Sequence, residues 1–315
     1  MRGFAVIGTL ALIGMLTSCD GEIDYGDPDV FSSESSYFTV DHSCADTSLI
    51  PASALAAAKD RLHIAYNHTS HGSQLITGMD CLESYPDYGN AYAWGNGGGE
   101  GVLDLRDHYG NPFGSSGSPD LSQGDSVDEN EDTPWVVSTR AYLDDPANAE
   151  INVVVWSWCS INGHDAQRYV DNMEKLVAEY PSVAFVFMTG HAEGQGEDLT
   201  VNSVHYNNQL IRAHCAAKGR ILFDFADIES YDPGGGYFWD QNMYDNLAYD
   251  GGNWAVEWIE ANPDSELAKL TMGIGDYAGC RGTAHSDSPT EANLNGILKG
   301  RAAWYLWAAL GVRAD

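Results

Sequence analysis

The chain has 315 residues, enough for one α/β domain with long loops or for two small domains. Hydrophobic residues make up 43% and charged residues 19%, so a substantial core can form and broad disorder is excluded. Lys and Arg number 15 against 46 Asp and Glu, a formal charge of −31. That balance excludes a nucleic-acid partner, whose phosphates need a cationic footprint, and electrostatic docking on anionic lipid.

Arg2 precedes an apolar run from Phe4 to Leu16 that is too short to span a bilayer comfortably. The run ends in Leu16-Thr17-Ser18-Cys19, which resembles a bacterial lipobox. Residues 1–19 are therefore expected to be a lipoprotein signal peptide, with Cys19 acylated and the chain held in the bacterial cell envelope by its lipid. Residues 20–45 are acidic and Ser-rich without a helical or strand period, the composition of a flexible tether. Residues 46–315 then form a single domain. Its cysteines, with Cys44 just before it, number five: Cys44, Cys81, Cys159, Cys215 and Cys280. At most two disulfides can form, with one free thiol, and the pairing is open. None lies in a CxxC pair, which disfavours a cysteine-rich zinc site.

The spacing predicts a helix over 51–61, a strand over 61–66 and a helix over 133–147. Ile151 to Ser157 is a continuous apolar strand, followed by a helix over 164–180 with Tyr169, Val170, Met173 and Leu176 on one face. A strand over 182–189, a helix over 199–217, a strand over 220–225 and a Trp-rich helix over 290–310 complete the alternation. Strands apolar on both faces, separated by helices, predict a three-layer α/β/α fold around a mainly parallel sheet. Two stretches, 85–134 and 230–282, break the pattern and read as long functional loops. Their aromatics, Trp94 and Tyr237 among them, suggest stacking on sugar rings.

In a parallel sheet, ligands bind at the carboxyl ends of the strands. Four polar clusters fall there: 67–73, 158–163, 190–193 and 224–227. The first, Asn67-His68-Thr69-Ser70-His71-Gly72-Ser73, is the sharpest, because it puts a serine on a strand-to-helix turn. Such a serine needs a base, and His285, just before the last helix, is the candidate.

The segments Ile64–Ser73, Val155–Cys159, Phe223–Ser230 and Ala284–Ser286 resemble the SGNH (GDSL-like) hydrolase superfamily, specifically an exported bacterial and archaeal group. The resemblance spans roughly residues 50–312. It implies a flavodoxin-like fold without a required cofactor and hydrolysis of an ester, often acetyl on carbohydrate. Carried onto these residues it implies Ser70 as nucleophile, His285 as base and Asn162 as oxyanion donor. The pattern is departed from at Gly282, which stands where the acid three residues before the histidine is expected; another carboxylate such as Asp227, a backbone carbonyl, or a Ser-His dyad without an acid would take its place. His68, His71, His191 and Trp158, together with Trp94 and Tyr237, are expected to contact substrate, a glycan or a small ester.

Three other readings stay open. His68, His71 and His191 could hold a divalent metal. Asp104, Asp107, Asp224, Asp227 and Glu229 include candidate pairs for glycoside hydrolysis. The chain could also be a carbohydrate-binding lipoprotein without catalysis. The literal Gly124-Asp125-Ser126 lacks a preceding strand and reads as a solvated loop, with structural calcium at Asp128–Asp132 as a minor alternative.

Overall fold

The chain segments that are apolar on both faces pair into one sheet. The computed structural model describes residues 28–31, 37–109, 113, 121–123, 126–280 and 291–314. Seven strands, β1 (Thr39–Val40), β2 (His63–His68), β3 (Trp94–Gly95), β4 (Leu103–Tyr109), β5 (Val153–Trp156), β6 (Ala184–Met188) and β7 (Ile221–Phe223), lie in the order β1-β7-β6-β5-β2-β4-β3. Every pairing in this sheet is parallel. Parallel neighbours need crossovers, and helices supply them. On one side α1 (Ala52–Arg61), α2 (Ser73–Ser84) and α9 (Glu291–Gly311) pack together, with α6 (Phe225–Ser230), α7 (Trp254–Ala261) and α8 (Glu266–Met272) against α9. A second group is formed by α3 (Pro134–Leu143), α4 (Ala166–Glu179) and α5 (Val204–Lys218). The fold is three-layer α/β/α, as expected.

Leaving aside the edge strands β1 and β3, the inner order is β4-β2-β5-β6-β7. The chain winds one way from β2 to β4 and the other way through β5, β6 and β7. The strand order therefore reverses between β2 and β5, where a doubly wound sheet opens its ligand crevice.

α2 and α9 approach closely through glycines. A Cβ on Gly78 would sit 1.8 Å from the Gly296 carbonyl oxygen, and one on Gly300 would sit 2.4 Å from the Gly78 carbonyl carbon. α9 also keeps Trp304 and Trp307 out of solvent and is buried along most of its length. Among the described residues, no helix is long and apolar enough to cross a membrane.

Three expectations need correction. The segment read as tether reaches into the fold: Phe38 and Val40 are buried and β1 pairs with β7. The first long loop contains β4, whose charged outer positions hide its pairing to β2. The second contains α7, α8 and a hairpin of β8 (Ala248–Tyr249) and β9 (Gly252–Asn253). Of the cysteines among the described residues, Cys81 on α2 and Cys280 form a disulfide, leaving Cys44, Cys159 and Cys215 as thiols.

Candidate functional site

β2 runs two residues further than its apolar run suggests, and His68 at its end is paired with the neighbouring strand β4. Its Nε2 lies 2.6 Å from Asp107 Oδ1 on β4, and its ring stacks on Tyr66. The chain then turns at Thr69. Ser70 takes φ +40°, a left-handed conformation that a residue with a Cβ adopts only under constraint. Gly72 closes the turn against the strand: a Cβ there would lie 2.4 Å from that of His68. α2 starts at Ser73, so the positive end of its dipole points back at the turn.

His71 follows Ser70 and meets His191 from the exit of β6. Their rings stack with centroids 3.5 Å apart and 18° between planes. His71 Nε2 lies 3.3 Å from Asp245 Oδ2. Burial opposes a charge on His71, but Asp245 and the Cys159 thiol more than offset it and raise its pKa to about 9. Asp245 is held below its ordinary value; burial works against this, and the charge and hydrogen bonding of His71 prevail. His191 moves the other way, lowered by burial and then by the charge of His71. Carbonyls face both its ring nitrogens, Cys159 at 2.7 Å from Nε2 and Ala192 at 2.9 Å from Nδ1. A second positive ring stacked on His71 is disfavoured, which is the direction in which His191 is shifted.

A buried polar network underlies this pair. Lys299 and Glu229 are both fully buried and meet at 2.5 Å; Lys299 also donates to Gln74 Oε1 at 2.5 Å. The other Glu229 oxygen accepts from the Ala192 N–H at 2.5 Å, which fixes the backbone beside His191. Gln74 Nε2 donates to Asp245 Oδ2 at 3.2 Å, and Asn295 Nδ2 donates to the Asp245 carbonyl at 2.6 Å. Helices α2, α6 and α9 thereby hold the His71 carboxylate partner and the His191 strand exit in one frame. Every polar atom so engaged avoids the cost of an unmade buried hydrogen bond.

The structure thus brings together His71 and His191 from the expected residues, with Ser70 next to His71 in the chain. His68 lies in the sheet with 1% exposure and supports the turn from beneath, outside the imidazole pair. Trp158 is core: it is buried and its indole N–H donates to the Met188 carbonyl at 3.2 Å. Trp94 pairs with Leu103 at the amino-terminal end of β4, the opposite end of the sheet from His68. Tyr237 bridges to Tyr231 and bonds Glu197 at 3.3 Å. Asn162 is exposed, in a loop held by Asn202 and Asn207 near the start of α5. Asp227 is engaged by His42, whose Nδ1 lies 2.5 Å from its Oδ1 beyond the exits of β1 and β7. His285 and Cys19 lie outside the described residues.

The carboxylates considered for glycoside hydrolysis are also committed elsewhere. Asp104 pairs with His63, Asp107 with His68, Asp224 with Arg212 and Glu229 with Lys299. In the acidic run, Asp132 is neutralised by Arg140 and Lys175, and Asp128 accepts from the Asn130 and Asp132 N–H groups. The metal trio is replaced by His71, His191 and Asp245, whose ligand atoms lie within 4.8 Å of one another. Face-to-face rings direct their nitrogen lone pairs side by side instead of toward one point, so a shared ion would require the stack to open.

Asp245, Gln74, Asn295 and Lys299 were missed. One of 46 acidic residues carries no signal of its own. Asn295 and Lys299 did leave one: two polar residues four apart in a largely apolar helix share a face. Comparison with protein families, curated proteins and solved structures gives no match to this chain, so the site itself must carry the functional argument.

Proposed function

We propose that the chain is an SGNH-like serine hydrolase that removes acyl groups, acetyl foremost, from a polysaccharide. The observation that carries this reading is the backbone of Ser70: a left-handed serine at a strand-to-helix turn, at the sheet's switch point. Strain of this kind is retained where the surrounding structure requires that geometry. In the proposed reaction Ser70 Oγ attacks the acyl carbon. His285 takes its proton and returns it to the leaving alcohol. The Ser70 N–H, the positive end of α2 and the His71 imidazolium meet the charge that develops on the acyl oxygen. His71 is a poor choice for the base, since a group with a pKa of about 9 already carries its proton at neutral pH. On this reading the chain is exported and held in the envelope through Cys19, needing no cofactor.

The test is hydrolysis of 4-nitrophenyl acetate by residues 20–315. Ser70→Ala should lower kcat/KM by about 10³-fold or more, and a fluorophosphonate probe should label Ser70. Activity that survives this substitution and disappears with EDTA would transfer the reaction to a metal ion.

A further inference from the structure

The crevice at which the strand order reverses is bordered by the exits of β2 and β5. Asn67 stands opposite Trp156, and the Ser157 N–H donates to the Asn67 carbonyl at 2.9 Å. Counted from that last pair, Cys159 leaves β5 at the level at which Ser70 leaves β2. The Cys159 carbonyl lies 2.7 Å from His191 Nε2, and the adjoining Ser160 N–H donates to Ser122 Oγ at 3.2 Å. The backbone carrying the thiol is thus held from two directions. The Cys159 sulfur and the His71 ring share a hydrogen bond, and His71 Nε2 lies 3.3 Å from Asp245 Oδ2. Cys44 and Cys215 are buried, whereas Cys159 is partly exposed.

A thiol reacts as its thiolate, and a protonated imidazole beside it favours that form. Against the opposing effect of burial, Asp245 helps to keep His71 protonated at neutral pH. The other charged groups leave this arrangement intact: Glu193 faces His191 Nε2 at 3.6 Å, and Glu229 and Lys299 are paired with each other. We infer that Cys159 is a modification site for hydroperoxides, oxidised to a sulfenic acid with His71 as the proton donor. The thiolate electron pair attacks one peroxide oxygen and forms an S–O bond. The O–O bond breaks, and the departing oxygen takes the His71 proton and leaves as water or an alcohol. Sulfur is oxidised and the peroxide reduced. Cys44 and Cys215 are buried and Cys81 and Cys280 are bonded to each other, so a small external thiol reduces the product through a mixed disulfide. The oxidised sulfur gives up its negative charge beside His71 and adds an oxygen at the level of Ser70, and hydrolysis falls. The oxidation itself stands apart from Ser70; its effect on hydrolysis rests on the proposed function.

Hydrogen peroxide added to the full chain together with dimedone, a trap for sulfenic acids, tests this by peptide mass spectrometry. The adduct should form on Cys159 about tenfold faster, or more, than on Cys44 or Cys215. In Asp245→Asn, labelling should slow about tenfold at pH 6 and be unchanged at pH 9.5, where a thiol of ordinary pKa, about 8.5, is ionised. Cys159→Ala should keep the parental hydrolysis of 4-nitrophenyl acetate and lose the sensitivity to peroxide that glutathione reverses in the parent. Absence of the Cys159 adduct, equal labelling of the three thiols, equal slowing at both pH values, or labelling that appears only after EDTA has removed a metal ion would overturn the inference. Full hydrolysis by the labelled chain would overturn the effect on activity. Labelling of Cys159 in a chain without esterase activity would count against Ser70 alone.

Discussion

His71 and His191 stack face to face at 3.5 Å, yet only one of them can carry a full charge. The carboxylate of Asp245 assigns it to His71, whose pKa of about 9 lies above its ordinary value of 6.5. Stabilisation from a raised group is complete below its unfolded pKa and is lost as pH rises through the folded one. The pair should therefore contribute fully below about pH 6.5 and fade toward pH 9. Asp245, lowered instead, contributes above its unfolded value near pH 3.8 and loses that contribution in stronger acid. Asp245→Asn should bring the His71 titration, followed by NMR of its ring protons, down toward 6.5. A His71 titration near 6.5 in the parent chain would contradict the assignment.

The backbone at Ser70 separates strain from chemistry. Glycine accepts φ +40° without a Cβ clash, whereas alanine does not. Ser70→Gly should raise stability by about 1 kcal/mol relative to Ser70→Ala, while both lose hydrolysis. Urea midpoints compared at equal m-values check this; equal midpoints would argue that the turn is unstrained.

Lys299 and Glu229 are a buried pair, and breaking such a pair leaves the survivor uncompensated. Lys299→Met should cost about 3–5 kcal/mol by denaturant unfolding. Adding Glu229→Gln should recover a large part of that loss, since two neutral groups carry less desolvation penalty. Additive losses in the double variant would refute coupling.

Among the three thiols, Cys44 and Cys215 are buried and pushed up to about 12, mainly by burial. Cys159 is partly exposed beside the charged His71. A disulfide reagent under native conditions should modify Cys159 first and alone, slowing in Asp245→Asn. The Cys81–Cys280 bridge spans 199 residues, and its loss should destabilise the fold by up to about 5 kcal/mol on the chain-entropy account. Thermal melts of Cys81→Ser with Cys280→Ser measure this.

The sheet was legible because β5, β6 and β7 are apolar on both faces and have no other way to be buried. β4 was hidden, since Asp104, Arg106 and Asp107 interrupt its apolar positions and only partners elsewhere in the chain explain them. Ser70 and its two histidine neighbours stood out because strand exits rank polar residues by position. Asp245 could not, since it matters through contacts with helices distant in sequence. His42 and Asp227 show the converse: Asp227 looked like catalytic machinery, and the partner found for it, His42, lies beyond the exits of β1 and β7.

The Arg313 guanidinium lies 4.2 Å over the Phe38 ring, so the beginning and the end of the domain meet where the parallel strands start. Ser70 sits where those strands finish. Joining the two ends with a short linker and cutting the chain elsewhere should accordingly spare the Ser70 turn and the His71–His191 pair.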